Sequence, residues 1–153
     1  MKNEKDALAR IVEIVASVPE NNARFISVVT IIGTVLRRVL AAEKMLEAAS
    51  ISLAQRTKMG HMKQETSRMI EVLGAEMPNQ VSLSKVVAPE EQSWWFALSE
   101  TTHILEESVE QLSSMVAKQE KGSAVRDLSA QCVSLMRDHY NVYLSEARNW
   151  MDG

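Results

Sequence analysis

The sequence predicts an all-α fold: an antiparallel four-helix bundle with a short extra N-terminal helix and a non-helical strap at about 78–89. Three observations carry this expectation. Apolar residues recur at alternating steps of four and three, as in Leu98, Thr102, Leu105, Val109, Leu112, Val116 and Gln119, the spacing of a helical seam. A second seam, Val125, Leu128, Cys132, Leu135, His139, Val142, Glu146 and Asn149, follows after the break Lys121-Gly122-Ser123. Five glycines and three prolines in 153 residues are too few turn formers for an all-β chain. With 46% hydrophobic and 24% charged residues the chain can build one core, so 1–153 reads as a single helical domain.

The elements follow in order. Asn3 is a suitable N-cap, and Leu8, Ile11, Val12 and Val15 fall on one face of a short helix. That helix should stop near Val18-Pro19, because the residue before proline avoids helical dihedrals. Ser17 and Glu20 are spaced as a capping box for the next helix. This second helix carries Phe25, Val29, Ile32, Leu36, Val39, Leu46 and Leu53 at seam spacing. Ile26, Val28, Ile31 and Val35 fill its other faces, and no charge falls between Arg24 and Arg37. A helix apolar all round is surrounded on every side, so it is either the middle element or, as favoured here, partly in contact with another chain.

A third stretch bears Met59, Met62, Thr66, Met69, Leu73 and Met77. It is joined to the second either by a hairpin near 50–58, the favoured alternative, or by a bend of one long helix near Gly60. Pro78 to Pro89 mixes Val81, Leu83, Val86 and Val87 with serines and lacks a helical period, hence the strap. Pro89-Glu90-Glu91 then opens the fourth helix, with carboxylates where the helix dipole favours them. Trp94, Trp95 and Phe96 follow. Consecutive helical residues point ~100° apart, so at least one of these rings is expected on the surface. Counting outward from Gly122 brings Trp94 or Trp95 near Trp150. At the hairpin, Lys118 and Lys121 suit a helix C-terminus, Gly122 the left-handed C′ position, and Ser123 an N-cap.

Charge is unevenly spread. Residues 1–88 hold 12 Lys/Arg against 9 Asp/Glu, or +3, and residues 89–153 hold 5 against 11, or −6. Arg37, Arg38, Lys44, Arg56, Lys58, Lys63 and Arg68 make the middle of the chain basic, Glu90, Glu91, Glu100, Glu106, Glu107 and Glu110 make the next helix acidic, and these faces are expected to neighbour one another in the bundle. The basic region lacks interleaved aromatics, which argues against nucleic acid as a partner. Cys132 is the only cysteine, so no intramolecular disulfide forms, and a reducing compartment is expected. The first residues do not read as a signal peptide, and the uncharged run Phe25–Leu36 is too short to span a bilayer. The expected setting is cytoplasmic, without membrane insertion.

One constellation has chemistry in it. Glu100-Thr-Thr-His103 places a carboxylate and an imidazole on one helical face, and the hairpin count brings His139 opposite residue 105 and Tyr143 opposite residue 101. The Glu-x-x-His spelling resembles that of ferritin-like di-metal bundles. The second such motif is absent, since Met136 stands three positions before His139. Glu43 could donate from the second helix, with Ala42 the alternative for the inward position. Glu100, His103 and His139 are therefore weak metal candidates beside the simpler reading of a buried polar pair, and no cofactor is expected. His61, in Gly-His-Met-Lys, faintly resembles the histidine of phosphotransfer bundles. No phosphate loop, nucleophile elbow, paired-cysteine motif or hydrolase triad is found.

The functional expectation is thus a small non-enzymatic protein–protein interaction module: an adaptor, a secretion-chaperone-like protein or an inhibitor/immunity-type binder, expected as a homodimer. Its partner-binding residues are taken as Phe25, Ile26, Ile31, Trp94, Trp95 and Phe96. The alternative is a ligand- or metal-binding bundle using Glu100, His103 and His139, and beyond it phosphotransfer through His61.

Overall fold

The computed structural model describes residues 4–16, 23–76 and 93–152, which form an all-α bundle of five helices. These are α1 (Glu4–Ala16), α2 (Ala23–Ala48), α3 (Leu53–Glu76), α4 (Trp94–Lys118) and α5 (Ala124–Asp152). Asn3, the Ser17–Glu20 box, the strap at 78–89 and the start at Pro89 all lie outside the described residues, as does the side chain of Trp150.

Most seam positions turn inward, although Leu53 at the end of the second seam and Asn149 at the end of the last are exposed. Phe25, Val29, Ile32, Leu36, Val39 and Leu46 of α2 are all buried, with Met59, Met62, Met69 and Leu73 of α3, Leu98, Leu105 and Leu112 of α4, and Val125, Leu128, Cys132 and Leu135 of α5. α2 lies between α3 and α4, while α5 packs on α4, and α1 rests against α3 and α5. On α1 the inward pair is Ile11 and Ile14, whereas Val12 faces out. Arg10 ties this helix to Asp127 of α5 at 3.2 Å.

Interhelical contacts give the local directions. Between α2 and α3 they join Glu43 to Thr66 and Glu47 to Lys63. Between α2 and α4 they join Arg38 to Glu107 and Ala42 to Thr101. In both cases numbers rise on one helix as they fall on the other. The start of α4 therefore lies at the same end of the bundle as the α2–α3 turn.

α2 packs between α3 and α4, with a smaller contact to α5. It is long and apolar enough, by length and hydropathy alone, to cross a membrane, although the uncharged run within it is short; 56% of the apolar window is nevertheless buried inside the bundle. Most of the apolar excess expected to meet another chain is therefore covered by α3 and α4, and only Ile31 among its large residues stays 39% exposed. A polar strip, Ser27, Thr30, Thr34 and Arg38, faces out. Thr30 and Thr34 return their hydroxyls to the carbonyls of Ile26 and Thr30.

The α2–α3 connection is a hairpin turn, not a bend at Gly60. Ser52 Oγ accepts the Gln55 amide at 3.1 Å, and Gln55 Oε1 reaches back to the amides of Ile51 (2.8 Å) and Ser52 (3.4 Å). That is a capping box, written in the sequence as Ser52-Leu-Ala-Gln55. α4 starts later than Pro89 would place it: Ser93 is extended and its side chain accepts the Phe96 amide. At the next turn Ser123 caps α5 by accepting the Arg126 amide at 3.2 Å. Gly122 is left-handed (φ 79°) as expected, but Gln119 caps α4, so the glycine sits within the turn and not at C′.

As expected from charge, the basic middle of the chain meets the acidic α4 where Arg38 of α2 pairs with Glu107 at 3.3 Å; Lys58 of α3 pairs instead with Glu146 of α5 at 2.5 Å. Cys132 is fully buried, and burial pushes its thiol up to about 12.

Two substitutions test the turns by denaturant unfolding. Ser52→Ala should lower stability by about 1 kcal/mol through loss of the cap. Gly122→Ala should cost about 1–2 kcal/mol, because only glycine adopts a left-handed backbone freely. An unchanged unfolding midpoint in either variant would contradict the corresponding assignment.

Candidate functional site

The polar centre of the bundle is built on Glu43. This carboxylate is fully buried on α2, where i±3 and i±4 neighbours Val39, Leu40 and Leu46 are core residues. Three donors converge on it. Thr66 of α3 gives its hydroxyl proton to Oε1 at 2.5 Å. His139 Nδ1 of α5 donates to Oε2 at 2.7 Å, and the Tyr143 hydroxyl donates to the same oxygen. His139 and Tyr143 stand one turn apart on α5, with their rings perpendicular and 6.2 Å between centroids. The other imidazole nitrogen, Nε2, lies 3.0 Å from Glu65 Oε2 on α3. Glu65 is the outermost member, with 17% of its side chain exposed. Beyond it His61, one turn earlier on α3, reaches within 3.9 Å of Glu65 Oε1.

A ring with a carboxylate at each nitrogen donates through both, which only the imidazolium can do. Burial disfavours that cation, but the charges and hydrogen bonds of Glu43 and Glu65 outweigh burial and hold the His139 pKa at about 9. The hydrogen bond from His139 keeps Glu65 below the usual carboxylate range against burial, with further help from the charges of His139, His61 and Arg68. Burial, then the neighbouring Glu43, pushes the Tyr143 phenol well above its ordinary range, so it stays a donor. Among the described residues no buried side-chain nitrogen or oxygen lacks a partner.

The sequence-predicted site residues are distributed differently. His139 is at the centre, but Glu100 and His103 are not with it. His103 is 65% exposed on α4 with Nε2 2.8 Å from Glu107, while both nitrogens of His139 are taken by Glu43 and Glu65. The proposed convergence of Glu100, His103 and His139 is therefore corrected: the α4 stripe that faces the core is Leu98, Thr101, Leu105 and Ser108, which leaves Glu100 and His103 outside. Glu43 and Ala42, weighed as alternatives for one inward position, are both buried: Ala42 faces α4, where its carbonyl accepts the Thr101 hydroxyl at 3.3 Å, and Glu43 faces α3 and α5. Thr66 and Glu65 were missed as polar partners; the seam placed Thr66 inward but gave no sign of its bond. Among the described residues no group of three or more His, Cys, Asp and Glu side chains is placed so that it could hold a metal ion.

Of the residues expected to bind a partner, Phe25 (2% exposed) and Trp94 (3%) are core, because each heads its helix's inward stripe. Ile26 is half-buried, and Ile31, Trp95 and Phe96 are exposed. Two more exposed apolar residues, Ile51 and Leu53, flank the α2–α3 turn. Beside Leu53 runs an open groove of about 690 Å³ lined by Leu53, Ala54, Thr57, Lys58, His61 and Met62.

The buried centre should be visible in stability. The folded-state pKa of His139 exceeds the unfolded one, so its contribution is complete below about 6.5 and is lost as pH rises through about 9. In chelator-treated protein the unfolding free energy should decline over that window, and His139→Gln should flatten the decline. Glu43→Gln, which strips the buried imidazolium of its closest counter-charge, should cost roughly 3–5 kcal/mol. A pH-independent wild type between neutrality and about pH 10 would contradict the ionised assignment. Comparison with known proteins finds no family model that matches this chain, no similar curated protein and no similar solved structure.

Proposed function

We propose that this chain is a small protein–protein interaction module, a binder and not a catalyst, whose contact surface is the apolar end of the bundle. The observation that carries this reading is the exposure of Leu53 (80%), Ile51 (68%), Phe96 (49%) and Trp95 (40%). The α2–α3 turn and the start of α4 lie at one end, so these four residues share it. Apolar surface removed from water is worth about 25 cal/mol per Å², and tryptophan is a frequent anchor at interfaces. Leu53 and Met62 extend the apolar surface into the adjoining groove.

The first partner to consider is a second copy of the chain, giving a homodimer in a cytoplasmic setting. An adaptor, a secretion-chaperone-like protein or an inhibitor would each use such a surface against a different protein. Ile31, on the flank of α2, belongs to this reading only as a peripheral contact.

Light scattering on the purified chain tests it. A dimer is expected, and Leu53→Asp or Phe96→Asp should shift it to monomer by placing a charge in the contact. Both positions are exposed, so the fold should persist, as circular dichroism would verify. A wild type that stays monomeric at every concentration would remove self-association, and a dimer unaffected by both substitutions would move the interface elsewhere.

A further inference from the structure

Two features on one face of the bundle match each other. α1 rests against α3 and α5, and Arg10 in its middle pairs with Asp127 near the start of α5 at 3.2 Å. The groove at the head of α3 also borders α5, because Lys58 in its lining pairs with Glu146 near the end of that helix. Asp127 and Glu146 are separated by about 28 Å of helix. The α3–α5 face therefore carries a ridge, α1, at one end and a hollow at the other.

The ridge is apolar outside as well as inside. Ile11 and Ile14 face the core and are buried. Ala9, Val12 and Ala16, spaced three and four apart and hence on one side of the helix, are exposed, with Val12 at 40%. A surface helix normally turns polar residues outward, and along this stripe α1 does not. Glu13 stands beside the stripe with its side chain 71% exposed. In the hollow the exposed apolar residues are Leu53 and Ala54, and Lys58 puts a positive charge among them. Ridge and hollow are thus both greasy, and the charges beside them are opposite.

We propose that a second copy of this chain docks on this face, the outer stripe of each α1 entering the groove at the head of the other's α3. A two-fold axis perpendicular to the face, midway between ridge and hollow, exchanges its two ends. Each ridge then meets the other copy's hollow, and the same contact forms twice, as in an isologous dimer. Val12 comes against Leu53 and Ala54 of the other copy, and Glu13 comes beside its Lys58.

Within one chain Glu13 pairs with Arg10, and Lys58 with Glu146. The contact between copies shares these charges, so it fixes orientation more than it adds affinity. Affinity comes from apolar surface leaving water. Self-association is the reading proposed above, on which this contact rests; Leu53 stays in it, and α1 takes the place of Trp95 and Phe96.

Analytical sedimentation of the full chain over a range of concentrations tests this. A dimer is expected, and Val12→Asp should raise its dissociation constant roughly tenfold or more by setting a carboxylate against leucine. Glu13→Lys and Lys58→Glu should each weaken it as well, because either change makes both contacts like-charged. An equimolar mixture of these two variants should regain the dimer, since both contacts of the mixed pair are then of opposite sign. Circular dichroism of each variant verifies that the helices persist, and rescue in the mixture requires folded chains. A wild type that is monomeric at every concentration removes self-association and this contact together. A dimer broken by Phe96→Asp but not by Val12→Asp keeps self-association and overturns this contact. A dimer indifferent to Val12→Asp, or a mixture that stays monomeric, overturns it too.

Discussion

The constraint on which the bundle depends is the burial of one negative charge, Glu43, in its most apolar helix. Removing a carboxylate from water costs several kcal/mol even after relaxation, and only good geometry with complete hydrogen bonding offsets it. Thr66, His139 and Tyr143 supply that geometry, and they come from two other helices. Sliding α3 or α5 by one turn, about 5.4 Å, would leave the charge unmatched, whereas a purely aliphatic seam tolerates such a slip. The apolar contacts supply the bulk of the cohesion. Glu43 limits which registers of α2, α3 and α5 they can adopt.

This explains which parts of the molecule were legible in the sequence. Seam spacing identified the inward faces of α2 to α5 because helical periodicity is a local property. It placed Thr66 and His139 inward as well, but it treats every inward residue alike and cannot say which polar pair meets. His139 was matched to α4 by counting from the hairpin, yet Glu43 and Glu65 satisfy it across α2 and α3. Contacts between non-consecutive helices depend on rotation about each axis, which the count does not contain. The Ser52–Gln55 box is written in local spacing and marks where the hairpin near 50–58 turns. The exposure of Leu53 was not readable, because the seam of α2 extended over it although the chain had already turned.

The charge pattern was legible in part. Opposite signs on the middle of the chain and on α4 meet where α2 packs on α4, while Lys58 of α3 finds its partner on α5. The pairs that do form, Arg38 with Glu107 and Lys58 with Glu146, are partly solvated, and pairs of that kind contribute ~0–1 kcal/mol. They trim the surface and do not set the topology. What remains outward is a basic α3, an acidic α4 and exposed apolar side chains at the end where the two begin.

Cys132 turns the interior into its own witness. Its thiol is fully covered and held near 12 by burial, so in the closed molecule almost none of it is thiolate at neutral pH, and a reagent in solution has no route to it. Alkylation must then wait until α5 parts from its neighbours, and the labelling rate counts how often that happens. With no second cysteine to compete, the chain carries a single-site clock for the breathing of its own core.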